Sequence, residues 1–202
     1  MKRATVLFFC GHDDGGRKVA NEFAVRYGIP LIETGCDVKC SSETVEAGGQ
    51  VRLVLPGANA CLVCCRGFDP AQAALDQMDD TARAVRAATG YVQGAEADAT
   101  PSVANLNAIT GQLAITQLHA LVNGARFAQW DYLHFDQFTG RTIPAQSKRR
   151  ETCPVCGIGG IWMQGDRIEM QDCDAPKLHR LMAEPDQMAG AARTAWCAEV
   201  VK

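Results

Sequence analysis

The chain lacks a long apolar run: its first, Val6 to Cys10, is too short for the hydrophobic region of an export signal, and nothing later approaches a membrane span. It also lacks a dominant charge. A formal net charge of −3 and a pI near 5.8 give no broad field for nucleic acid, so a zinc-ribbon nucleic-acid binder is disfavoured. The one basic cluster, Lys148-Arg149-Arg150, reads as a solvated loop. Internal repeats and low-complexity segments are missing as well. Disulfide-scaffold spacing is absent despite ten cysteines, and a chain of 202 residues buries enough surface to fold without covalent staples. These absences point to a reducing cytoplasm, with neither membrane nor nucleic acid as partner.

What the cysteines do have is pairing. Cys61-Leu62-Val63-Cys64 and Cys153-Pro154-Val155-Cys156 are two CxxC turns separated by 88 residues. Random placement of the cysteines would give about 0.45 such pairs, so spacing alone is a moderate signal. The flanks strengthen it, because Pro56-Gly57 precedes the first pair and Gly157 follows the second, as knuckle-like turns require. Two such turns supply the four thiolates of a closed tetrahedral zinc site. Cys65 reads as a packing residue or spare thiol, and Cys36 and Cys40 as structural.

The periodicities suggest an α/β chain. Val6–Phe9 reads as a buried strand, Gly11–Gly16 as a loop, Arg17–Tyr27 as a helix closed by Gly28, and Ile29–Ile32 as a strand parallel to the first. Residues 36–49 look polar and turn-rich, and Gln50–Leu55 alternates as a half-exposed strand does. Asp69-Pro70 caps a helical stretch reaching Ala88 in pieces. Gly90–Thr100 reads as a mobile crossover loop. Ser102–Val122 is the longest helix, apolar enough to be buried on most sides, with His119 inside it and Asn123-Gly124 as its stop. Strands Asp131–Phe138, which carries His134, and Arg141–Ala145 form a hairpin through Thr139-Gly140. Farther on, Ile161–Met170 suggests another hairpin, and 175–183 and 186–200 amphipathic helices.

In order, Phe9-Cys10-Gly11-His12-Asp13-Asp14-Gly15-Gly16-Arg17 with Asn21, Ile29-Pro30-Leu31-Ile32 with Gly35, Pro56-Gly57 before the first CxxC, Pro101-Ser102-Val103 with Leu106-Asn107, and the second CxxC-Gly resemble the ThiF/MoeB adenylyltransferases, relatives of ubiquitin-activating enzymes. The resemblance covers roughly residues 4–157. It implies a partial Rossmann-like (ThiF-type) domain over 1–157, with a zinc-four-cysteine clasp, and a carboxyl-terminal extension over 158–202. Intact relatives transfer AMP from Mg-ATP to a carboxylate, often on a ubiquitin-like or sulfur-carrier protein, and work as homodimers. The chain departs from the pattern in lacking the glycine-rich phosphate loop, so the resemblance is to the carboxyl-terminal part, and Mg-ATP is expected only if a missing half is supplied. Asp13 and Arg17 are the residues the resemblance points to for Mg-ATP. Counting back from Arg17 puts the family's magnesium aspartate on His12, whereas residue type puts it on Asp13; Asp13 or Asp14 as a helix cap is the equal alternative. No cysteine lies between Cys65 and Cys153, which speaks against a thioester step in the crossover loop. The alternative to an incomplete adenylyltransferase is a non-catalytic, zinc-stabilised interaction module.

Overall fold

A computed structural model describes residues 2–40, 44–79, 81–82, 84–85, 103–123 and 130–167. Strand β1 (Leu7–Phe9), helix α1 (Asp14–Tyr27), strands β2 (Leu31–Cys40) and β3 (Val45–Val54), helix α2 (Pro70–Asp76), helix α3 (Ala104–Asn123), and strands β4 (Tyr132–Asp136) and β5 (Arg141–Ala145) follow in order. The fold is mixed α/β around a five-stranded sheet of order β1-β2-β3-β4-β5. The opening strand-helix-strand unit pairs in parallel, Leu7 opposite Leu31, as its pattern predicts. The other three pairings are antiparallel. Among the described residues parallel pairing is therefore limited to β1 and β2, which does not make the expected Rossmann topology.

Local chemistry explains α1. Asp13 is its N-cap, accepting the Gly16 N–H, so the helix begins at Asp14, three residues before the expected Arg17. Gly28 ends it at φ 69°, a left-handed position that favours glycine, with its N–H on the Ala24 carbonyl. Val19, Ala20, Phe23 and Ala24 are buried at the expected period and Tyr27 is half-buried, while Gly15, Asn21, Val25 and Arg26 are buried as well. In α2, Asp69 caps through Ala71 N–H and Pro70 occupies the first turn, again as expected.

Residues 36–49 are not turn-rich. They belong largely to a long hairpin whose register runs from Leu31 opposite Val54 to Cys40 opposite Val45. Glycines and polar residues hide these strands from propensity, but the ladder and packing override it. Gly49 has a packing reason: a Cβ there would lie 1.9 Å from Thr110 Oγ1, so α3 rests directly on β3.

The two sheet faces carry separate cores. On one, Ala20, Ala24 and Val25 of α1 pack with Leu31, Val54 and the CxxC cysteines. On the other, Ala114 of α3 packs with Ile32, Val51, Leu53 and Leu133. Adjacent Leu31 and Ile32 point to opposite faces, as strand pleating demands. Helix α3 is not buried on most sides. Leu106, Thr110, Ala114, Gln117 and Ala120 are buried, while Ile109, Ile115 and Val122 are 39%, 39% and 49% exposed. One helix on one sheet face covers a single stripe, whatever its composition.

The β4–β5 hairpin forms as expected, with Asp136 accepting the Phe138 and Thr139 N–H groups in its turn. The hairpin expected at 161–170 is absent from its described part. Ile161 N–H bonds Val155 O and Met163 N–H bonds Val25 O, which ties this stretch to other elements, and Gly165–Arg167 is a 3-10 turn. The loop expected at 90–100 and the helices at 175–183 and 186–200 lie outside the described residues. No described helix is long and apolar enough to cross a membrane.

Candidate metal centre

Strand β3 ends at Val54 and Pro56-Gly57 follows, where Gly57 adopts φ 87° and the Trp162 ring occupies the space of a Cβ. Asn59 fixes the turn, accepting Leu55 N–H and donating to Leu53 O, both at 2.7 Å. The chain then folds into a first knuckle, with Cys64 and Cys65 N–H on Cys61 O at 2.9 and 3.2 Å. Buried Asn21 of α1 accepts the Leu62 N–H at 2.8 Å, pinning the knuckle to the helix.

The second knuckle repeats the logic. Cys153 N–H bonds Arg150 O at 3.1 Å, Gly157 N–H bonds Cys153 O at 2.9 Å, and Ile158 N–H bonds Glu151 O at 2.8 Å. A Cβ on Gly157 would lie 2.3 Å from Glu151 O and 2.5 Å from Cys153 O, so the turn closes only around glycine.

Packing of the knuckles brings the four sulfurs together. Cys61 and Cys153 are 3.7 Å apart, Cys64 and Cys156 3.5 Å, and all four lie within 4.8 Å of one another. A zinc ion with sulfurs at about 2.3 Å sets tetrahedral edges of about 3.8 Å, so the spacing fits. Cys61, Cys153 and Cys156 are buried and Cys64 half-buried. Burial pushes the Cys61 and Cys156 thiols up. Burial also opposes ionisation of Cys64, but the Arg150 N–H at 3.4 Å and neighbouring hydrogen bonds outweigh it and lower that thiol to about 7. Four thiolates this close repel one another, and a divalent cation reverses that penalty. The donor set is soft, four-coordinate and closed, which fits structural zinc.

The loop after β1 is organised differently. Asp76 of α2 accepts the Asp14 and Gly15 N–H groups at 2.9 and 3.0 Å, beside the Asp13 cap. Asp14 pairs with Arg17 at 2.8 Å and accepts the Asp69 N–H at 3.0 Å. Arg17 also holds Glu33 at 2.8 Å, and Arg52 meets the other Glu33 oxygen at 3.2 Å. Carboxylates of the chain thus occupy the first-turn amides of α1, where an anion would bind. Asp13 caps, Arg17 is committed to Asp14 and Glu33, and His12 is exposed with its carbonyl on Arg17.

Neither a protein-family model nor a curated protein sequence matches the chain. Similar solved structures include E. coli MccB with MccA-N7isoASN, at TM-score 0.52 and 14% identity over 77% of this chain and 41% of that one. Another is E. coli MccB alone, at TM-score 0.52 and 12% identity over 84% and 42%. The likeness is one of fold. It is a coarse likeness, and the chain spans about two fifths of the MccB chains it matches.

Two residues at the four-cysteine cluster have no spacing that marks them. Arg149 donates to Gly57 O at 3.1 Å and to Cys156 O, with its guanidinium 5.8 Å from the Trp162 ring centre. Arg150 donates to Val63 O at 2.9 Å. The basic cluster is a loop with Lys148 and Arg150 exposed, as expected, but Arg149 and Arg150 also brace the two knuckles through their carbonyl contacts. Cys65 packs on the core near Cys61, its thiol pushed up by burial, and Cys36 donates to Thr110 Oγ1 at 3.2 Å. His119 is exposed, contrary to its expected place in a buried helix, and His134 stacks on Tyr132 with ring centres 6.5 Å apart.

Proposed function

We propose that the chain is the zinc-clasped part of a ThiF-type, partly Rossmann-like adenylyltransferase domain, with Cys61, Cys64, Cys153 and Cys156 holding one structural zinc ion. The supporting observation is the convergence of four sulfurs from two CxxC turns within a fold like that of MccB. Bound zinc would tie the turn after β3 to the segment after β5 and take no part in reaction chemistry. The domain's reaction on this reading is ATP-dependent adenylation of a carboxylate. A carboxylate is a poor electrophile, and AMP supplies a leaving group for a later nucleophile.

Nucleotide phosphates need amides or cations that the α1 terminus does not leave free, so the phosphate-binding half comes from outside the described residues. In that setting Asp13 would have to exchange its cap for magnesium, and Arg17 its ion pairs for a phosphate. MccB was crystallised with MccA, which supports a peptide or small protein as the carboxylate donor here, a class that includes ubiquitin-like and sulfur-carrier proteins. The exposed Ile109, Ile115 and Val122, on a helix without a charged residue, support a homodimer. Reduced thiols suit a cytoplasmic setting, and 158–202 is read as an extension of unassigned role. Metal analysis tests the clasp: protein purified without chelator should carry near-stoichiometric zinc.

A second reading, a non-catalytic zinc-stabilised interaction module, has its own support in the Asp13 and Asp76 carboxylates on the α1 terminus. ATP–pyrophosphate exchange separates the two. Exchange on adding a complementing polypeptide favours the enzyme, and none with a fully zinc-loaded, complemented chain favours the module.

A further inference from the structure

The four cysteines of the clasp are not equivalent. Cys61, Cys153 and Cys156 are at most 2% exposed, whereas Cys64 is only half-buried. Its sulfur accepts the Arg150 N–H at 3.4 Å, and the Arg150 guanidinium is anchored beside it on Val63 O. A cysteine that is not fully buried and stands next to a cation is in the setting in which a thiolate reacts with oxidants. The sulfur across the clasp, Cys156 Sγ, is 3.5 Å away on the other knuckle. Closing that gap to a disulfide at about 2.05 Å takes about 1.5 Å of sulfur movement.

We propose that the clasp is a peroxide-sensitive switch in which Cys64 is oxidised first and Cys156 resolves it, exchanging the metal for a disulfide between the same two knuckles. The proposal rests on the zinc reading above. The Cys64 thiolate attacks one oxygen of a hydroperoxide, the O–O bond breaks, and the sulfur loses two electrons to become a sulfenic acid. The departing oxygen takes a proton and leaves as water, or as an alcohol from an organic hydroperoxide. The Cys156 thiolate then attacks the sulfenic sulfur, forming the S–S bond and expelling hydroxide, which leaves as water after protonation. The clasp now offers a metal two thiolates in place of four and releases it. Because the new bond spans the two knuckles that the metal spans, their connection survives oxidation.

Zinc-loaded full-length protein treated with hydrogen peroxide tests this, with released zinc read by a chromogenic chelator and linked peptides by mass spectrometry. Tryptic cleavage leaves Cys61, Cys64 and Cys65 on one peptide and Cys153 and Cys156 on another, so fragmentation assigns the bridge. The expected result is one zinc released for every two clasp thiols lost, a Cys64–Cys156 bridge, and the same outcome in Cys65→Ser. Zinc retained at peroxide levels that oxidise exposed Cys10 would overturn the proposal. So would release with a bridge at Cys61–Cys153 or Cys64–Cys65, or with oxidised sulfur and no bridge. Protein that binds no zinc before treatment sinks the zinc reading instead, and the bridge formed in that metal-free protein still decides whether Cys64 and Cys156 are the reacting pair.

Discussion

Replacing Gly157 with alanine should disable the proposed zinc clasp without touching a sulfur. The new Cβ would lie 2.3 Å from Glu151 O, 2.5 Å from Cys153 O and 2.6 Å from Cys153 N, all backbone atoms that cannot swing aside. Ordinary contact begins near 3.4 Å, so the knuckle must open by about 1.1 Å. That opening strains or breaks the Gly157–Cys153 and Ile158–Glu151 hydrogen bonds, each worth about 1 kcal/mol. The direct loss is then about 2 kcal/mol, or a melting temperature lower by about 4–8 °C. The larger effect falls on zinc, whose ligand distances tolerate only about 0.2 Å and whose binding energy is folding energy. Competition against a chromogenic chelator and a thermal melt, each with and without added zinc, read both parts. Gly111→Ala is the control: nothing lies within 4 Å of its Cβ position in α3, and it should gain about 0.5–1 kcal/mol. Wild-type zinc affinity and melting in Gly157→Ala would refute the reasoning from knuckle geometry.

Cys153→Ser should lower zinc content and melting temperature together, and equal values in mutant and parent would remove the clasp from the account. Glu33→Gln leaves the half-enclosed Arg17 and Arg52 without their shared carboxylate and should cost about 3 kcal/mol; a denaturant midpoint unchanged from the parent would show that the triad contributes nothing net. Calorimetric titration of the chain alone with Mg-ATP should show weak or no binding, because Asp13 and Asp76 hold the α1 amides, and micromolar affinity would contradict that reading of the loop. Sedimentation should detect a dimer or larger species that Ile115→Asp shifts towards monomer, whereas a monomer at high concentration would leave the apolar face of α3 without the proposed role.

Much of the site was legible in the sequence because its signals are local. CxxC spacing, a glycine after the second pair, Asp69-Pro70 at the start of α2 and Gly28 at the end of α1 each act over a few bonds, through turn closure and capping. The misreadings arose where local chemistry is weak or misleading. Gly48 and Gly49 look like turn residues, yet they lie in β3, where Gly49 accommodates the approach of α3. The apolar content of α3 suggested burial all round, but composition says nothing about how many neighbours a helix has. Arg149 and Arg150 looked like a solvated run, since charge carries no period that marks a brace.

By itself, the sequence determined which cysteines form two knuckles, that Gly28 ends α1 and Asp69 caps α2, and that β1-α1-β2 is a parallel unit. These depend on hydrogen bonds and sterics among residues close in the chain. Tertiary structure alone decided that Cys64 faces Cys156 and Cys61 faces Cys153, that Asn21 holds the first knuckle, and that Asp76 closes the α1 terminus from 62 positions away. Such contacts are set by how the elements pack on the two faces of the sheet. No short stretch of residues encodes that packing, because its energy is shared among side chains that meet only once the sheet has formed.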